Sequence, residues 1–243
     1  MLFSKISSAG LLSTFVPGAP LTSQRKAIHH SRRASQVYNS NWAGAVLIGN
    51  GYTSVSGQIT VPAPQLPSGA DSFTSYCASA WVGIDGDTCS TVILQSGLDF
   101  CVQGNSTSYS AWYEWYPDYA HDFSNIQISA GNVVNVSVEA TSVNSGTVVI
   151  ENLSTGTSVN HTFPPNFSGK LCEFNAEWIV EDFSINGGLA PFANFGSVIF
   201  SNAVASTGAN SFGRLSATTM DIYQDQVLTS SSVTSHGVIV SYI

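Results

Sequence analysis

Gln95, Glu177, Glu181 and Asp182 lie on two short strand-like stretches, Trp81-Val-Gly-Ile-Asp-Gly-Asp-Thr-Cys-Ser-Thr-Val-Ile-Leu-Gln-Ser-Gly97 and Asn175-Ala-Glu-Trp-Ile-Val-Glu-Asp-Phe183. A glutamate can take a proton from water and return it to a leaving group, and a glutamine amide cannot titrate but can donate to a developing oxyanion. A Glu/Gln pair therefore holds both functions that hydrolysis of a carbonyl compound requires. Spacing alone does not choose Glu181 over Glu177 or Asp182, although strand parity puts Asp182 on the opposite face.

The same parity tests whether other candidate residues can meet. If residues 77–85 and 91–101 form a hairpin turning through Gly86-Asp-Thr-Cys-Ser90, a register whose opposed residues sum to 178 sets Gly83 against Gln95. Trp81, Asp85 and Gln95 then share a face. Trp112, Glu114 and Tyr116 share one on a following strand, and Glu177, Ile179, Glu181 and Phe183 on a third. A row of Trp, Glu, Asp and Gln suits neither the apolar inside of a plain sandwich nor its outside; aromatic walls with fixed polar groups suit a groove for an extended peptide.

With Ser40-Asn-Trp-Ala-Gly-Ala-Val46 and Ala111-Trp-Tyr-Glu-Trp-Tyr-Pro117, these stretches make four ordered blocks that resemble the glutamic peptidases, or eqolisins. The blocks span residues 38 to about 183, and only β-patterning extends the likeness through the last 60 residues. The resemblance implies a secreted acid endopeptidase, insensitive to pepstatin, acting on protein or peptide substrates. It assigns Glu181 as general base and Gln95 as oxyanion donor, with Trp81, Asp85, Trp112, Glu114 and Tyr116 at the substrate or supporting the pair. It implies two large antiparallel sheets bent into a lectin-like β-sandwich with a concave cleft, and neither cofactor nor metal.

The elements needed to position such a site are strands. From residue 38 onward, Val, Ile, Thr and aromatic runs alternate with polar residues and are broken by Gly, Pro, Asn and Ser clusters, so the expected class is all-β. Strands are expected at 43–48, 52–61, 78–84, 92–100, 108–116, 133–141, 146–153, 158–163, 173–183, 197–203 and 238–242, with a hairpin closed by Ser154-Thr-Gly156. Residues 38–243 read as one domain of sandwich or barrel type.

Cys77, Cys89, Cys101 and Cys172 show no zinc spacing and allow three pairings. The hairpin register places Cys77 opposite Cys101, which leaves Cys89 with Cys172. Asn105, Asn135, Asn152, Asn160 and Asn166 stand in Asn-x-Ser/Thr sequons. Disulfides and sequons both point to secretion.

Five of seven basic residues fall within the first 33 positions, and all fifteen acids lie after position 70. Residues 1–37 read as a weak signal peptide and short basic propeptide with the dibasic pair Arg32-Arg33. The remainder carries Lys170 and Arg214 against fifteen carboxylates, a formal charge of 2 − 15 = −13. That balance disfavours nucleic acid and anionic membranes, and its self-repulsion fades below roughly pH 4 as carboxylates protonate. No apolar run reaches 18 residues, so no membrane helix is expected; a monomer is the default. His121, His161 and His236 sit in no nucleophile context, and no Asp-Thr/Ser-Gly motif of pepsin-like enzymes occurs. The competing reading is a carbohydrate-active sandwich, either a glycoside hydrolase using two carboxylates or a glycan-binding module.

Overall fold

The computed structural model describes residues 23–24, 30–33, 36–165, 169–208 and 210–243. In chain order its main strands are β1 (Gln36–Asn39), β2 (Trp42–Ile48), β3 (Ser54–Thr60), β4 (Tyr76–Ile84), β5 (Ile93–Gln103), β6 (Ser106–Tyr116) and β7 (Val133–Ser142). They continue as β8 (Ser145–Asn152), β9 (Thr157–Phe163), β10 (Asn175–Glu181), β11 (Ser197–Thr207), β12 (Thr218–Gln224), β13 (Thr229–Val233) and β14 (Val238–Tyr242). A ten-stranded sheet has the order His30–Arg33, β1, β12, β2, β10, β4, β5, β6, His121–Asp122, with Gln226–Val227 also pairing β12, and an eight-stranded sheet the order β9, β8, β7, β3, β11, β14, β13, with Asn210–Gly213 also pairing β11. Pairing is antiparallel except that β1 runs parallel to β12. This is the all-β, two-sheet sandwich expected from the sequence.

The main core lies between the sheets. Ala43, Ala45 and Leu47 of β2, Ala78, Ala80, Val82 and Ile84 of β4, and Ala176, Trp178 and Val180 of β10 meet Val55, Ile59, Val134, Val136, Val148 and Phe200 of the smaller sheet. Trp178 spans the layers and donates its indole N–H to the Ser56 carbonyl at 2.8 Å. Along β10 every residue is buried, because the opposite face of the larger sheet holds a second apolar cluster: Trp42, Val46, Trp81, Ile93, Trp112, Ile179 and Met220. Gly44 permits the close approach of β2 to β10. Its φ is +145°, and a Cβ there would collide with the Trp178 carbonyl oxygen.

Register places the candidate residues. The β4–β5 hairpin pairs Cys77 with Cys101 and Gly83 with Gln95; β5–β6 pairs Gln95 with Glu114 and Gly97 with Trp112; β10–β4 pairs Glu177 with Gly83, Ile179 with Trp81 and Glu181 with Ser79. One row across the sheet thus reads Glu177, Gly83, Gln95, Glu114, and the next Ile179, Trp81, Gly97, Trp112. The disulfides are Cys77–Cys101 and Cys89–Cys172, the pairs that the register named. Three of these strands went unexpected: the short β1 and β12 within the larger sheet, and the Ser-rich β13 at the edge of the smaller one.

The second row needs a residue without a side chain between two indoles. A Cβ at Gly97 would lie 2.5 Å from Trp81 Cβ and press on the Ala80 carbonyl, whereas one at Gly188 would meet nothing within 4 Å. Gly97→Ala is expected to cost about 1–3 kcal/mol as overpacking, and Gly188→Ala less than about 0.5 kcal/mol. Urea unfolding of the two variants tests this, and equal effects would contradict the packing described.

Candidate active site

Glu181 ends β10 with each carboxylate oxygen held by a nitrogen donor. At the entry to β2, Asn39 Oδ1 accepts the backbone N–H groups of Asn41 at 3.0 Å and Trp42 at 3.1 Å, and the Asn41 carbonyl accepts the Asp182 N–H at 2.9 Å. That turn delivers Asn41 Nδ2 to Glu181 Oε1 at 3.1 Å. Trp81 Nε1 donates to Oε2 at 2.9 Å, and Trp42 fixes that indole edge-on at a centroid separation of 4.9 Å. Neither donor titrates, so both favour the ionised carboxylate. Asn41 was missed as a functional residue because an asparagine beside a strand start reads as a turn signal; the block containing it was the available clue.

Gln95 is placed by its neighbour on β6, with its Nε2 donating to Glu114 Oε2 at 3.1 Å. One amide hydrogen is thereby directed along the row, which fixes the plane of the NH₂ group. Trp112 donates its indole N–H to Ser79 Oγ at 3.2 Å, and Ser79 donates to the Leu98 carbonyl at 3.1 Å. Tyr116 packs on the Trp81 and Trp112 cluster. The structure therefore gathers Glu181, Trp81, Gln95, Glu114, Trp112 and Tyr116 on one sheet face. Glu181, Gln95 and Glu114, read from the alternation as lining a groove, are each 0% exposed.

Asp85, which the resemblance set at the substrate or in support of the pair, turns to the chain entering β10. Its carboxylate accepts four backbone N–H groups, those of Cys172, Glu173, Phe174 and Asn175, at 2.7–3.3 Å, with its own φ at +66°. Its oxygens also approach the sulfurs of Cys89 and Cys172, but those are bonded to each other and are not thiolate ligands. Glu177 shares the face of Glu181 yet sits under the 85–87 turn, accepting the Asp87 N–H at 3.0 Å while its second oxygen has no partner.

Comparison with known proteins places this geometry. The model of the peptidase A4 family matches residues 40–242, which includes the C-terminal strands that carried no motif. The chain belongs to the peptidase A4 family. Aspergillopepsin-2 of Aspergillus niger is 49% identical over 282 aligned positions that cover all of both chains, and scytalidopepsin B of Scytalidium lignicola is 37% identical over 98% of this chain and all of its own. Scytalido-glutamic peptidase, solved with a transition-state analog inhibitor, superposes with a TM-score of 0.76 at 41% identity, covering 84% of this chain and 98% of that one. This A4-family protein is a glutamic peptidase, and the carbohydrate-active alternative is set aside.

Among the described residues burial pushes four carboxyls toward their protonated forms: Asp85, despite its four backbone donors, Glu173, Glu177 and Asp182. Burial raises Glu177 well above the usual range, and the nearby Asp87 and Asp85 reinforce it. Burial raises Asp182 to about 7 against one compensating hydrogen bond, from Gln224 Nε2 at 2.8 Å. The folded chain keeps the Asp182 proton from about pH 4 to about pH 7, where the unfolded chain releases it. Stability is therefore full below the unfolded pKa and declines as pH rises to about 7, by on the order of 4 kcal/mol from this group. Urea unfolding at about pH 4, 5.5 and 7 should show a decline that Asp182→Asn reduces; an unchanged slope in that variant would remove Asp182 as its cause.

Proposed function

We propose that this chain is a secreted acid endopeptidase in which Glu181 acts as general base and Gln95 stabilises the oxyanion. The observation that supports it best is the pair of fixed nitrogen donors, from Trp81 and Asn41, on the two oxygens of Glu181, with the Gln95 amide on the same sheet face. Glu181 takes a proton from water, whose oxygen attacks the scissile carbonyl carbon. The carbonyl π electrons move onto oxygen, and the Gln95 side-chain amide donates to that charge. Collapse of the tetrahedral species breaks the C–N bond while Glu181 returns the proton to the leaving amine. Glu114 is a positioning residue that fixes the Gln95 amide, Asn41 one that fixes Glu181, and Trp81, Trp112 and Tyr116 wall an extended peptide.

The peptide-based transition-state analog bound to scytalido-glutamic peptidase in a second structure, 42% identical to this chain, supports a peptide substrate here. Residues 1–37 are proposed as the leader, with residues 38–243 acting as a monomer. Within the leader, Ser23–Gln24 pairs with Ser184–Ile185, three residues beyond Glu181, so its removal frees a strand edge beside the catalytic strand. The two disulfides and the −13 charge of residues 38–243 support an oxidising, acidic destination.

Cleavage of a denatured protein at about pH 2 to 5 by residues 38–243, insensitive to pepstatin, tests the assignment. Glu181→Gln should lower kcat by about 10²–10⁴ and Gln95→Ala by about 10²–10³ with folding retained. Full turnover in either folded variant would overturn that residue's role. Asn41→Ala should lower kcat about tenfold with KM little changed, as expected for loss of one hydrogen bond to a charged group. A rise in KM alone would place Asn41 in substrate binding instead.

A further inference from the structure

The five sequons differ sharply in their surroundings. Asn105 occupies the exposed Gly104–Asn105 turn between β5 and β6. Asn160 is exposed on β9, the edge strand of the smaller sheet, and a groove of about 250 Å³ opens beside it along Tyr113, Phe123 and His161. A sugar attached at either asparagine would meet solvent or open space.

Asn152 is the opposite case, at 1% exposure. Its Nδ2 donates to the Gln127 carbonyl and to Asn132 Oδ1, both at 2.9 Å. Its Oδ1 accepts the Ser154 N–H at 3.1 Å, and its carbonyl accepts the N–H groups of Thr155 and Gly156. Both amide hydrogens are in use, and N-linkage to a sugar would remove one of them. A chain modified there before folding would have to bury a sugar where no space exists, and would lose a buried hydrogen bond.

We propose that Asn105 and Asn160 carry N-linked glycans in the secreted protein and that Asn152 does not. This rests on the secretion reading above. In the transfer, the bond from sugar C1 to a lipid pyrophosphate carrier breaks and a C1–Nδ2 bond forms. The amide nitrogen gives up one proton, and the pyrophosphate leaves with the bonding electrons. Asn135 is half-buried in β7 with its amide on Glu151 Oε2 at 3.0 Å, and Asn166 lies outside the described residues; neither is assigned.

The test is to express the full chain in yeast behind a host secretion signal, which imposes passage through the glycosylating compartment. The folded secreted protein is then treated with peptide N-glycosidase in H₂¹⁸O, which turns each occupied asparagine into labelled aspartate. Peptide mapping should find label at positions 105 and 160 and none at 152. Label at 152, or its absence at 105 or 160, overturns the proposal. Retention of the chain inside cells when it relies on its own N-terminal segment would count against native secretion alone. Asn160→Gln should lose one glycan mass and keep its turnover, because the Tyr113 face of β6 is the reverse of the Trp112 and Glu114 face.

Discussion

A carboxyl group taken out of water must find compensating donors or keep its proton, and that constraint organises this molecule. Four acidic side chains on or beside the central strands answer it in different ways. Asp85 receives four backbone N–H groups. Glu181 receives two side-chain donors that cannot titrate. Glu177 and Asp182 receive fewer, and in Asp85, Glu177 and Asp182 alike burial outweighs the donors and raises the affinity for a proton. The contrast separates Glu181 from its neighbours: of the three acids on the 175–183 segment, it alone has a non-titrating donor on each oxygen. A fold with such carboxyls is intrinsically matched to an acidic medium, because there the unfolded chain gains nothing by releasing the protons that the folded chain holds.

The second consequence concerns the tryptophans. In an ordinary sandwich one face of each sheet is wet, but here Trp42, Trp81 and Trp112 make a second dry layer on the far side of the larger sheet. Their indole bodies contribute apolar burial while their N–H edges remain available, and Trp81 and Trp112 direct those edges to Glu181 and Ser79. Gly97, opposite Trp81 and Trp112, and Gly83, two positions along from Trp81, are the counterpart of that bulk. Gly83 and Gly97 provide volume that any side chain would take away. Packing and chemistry thus draw on the same residues, and a change made for stability in this layer acts on the carboxylate as well.

Much of this was legible in the sequence where the information was local. Hairpin register follows from a two-residue period, so the pairing of Cys77 with Cys101 and the shared face of Trp81 and Gln95 could be reasoned from spacing. Information carried by distant chain was not legible. Nothing near Asp85 announces that the backbone at 172–175, some 87 residues on, supplies its hydrogen bonds. Strand alternation gives a face but not what lies above it, which is why the burial of Glu181, Gln95 and Glu114 could not be read from it. The strand β13 escaped because Ser and Thr carry it, and β12 because Asp221 stands buried between Met220 and Ile222; their pairing is imposed by neighbours.

The hairpin disulfide also has a meaning beyond stiffness. In a sheet with period two, a slip of one residue between β4 and β5 would send Gln95 into the apolar core and bring Leu94 or Ser96 to the face of Glu181. The same slip would part Cys77 from Cys101. The covalent bond is therefore a record of alignment, and an oxidised chain with that bond closed has its glutamine on the correct side before any substrate arrives.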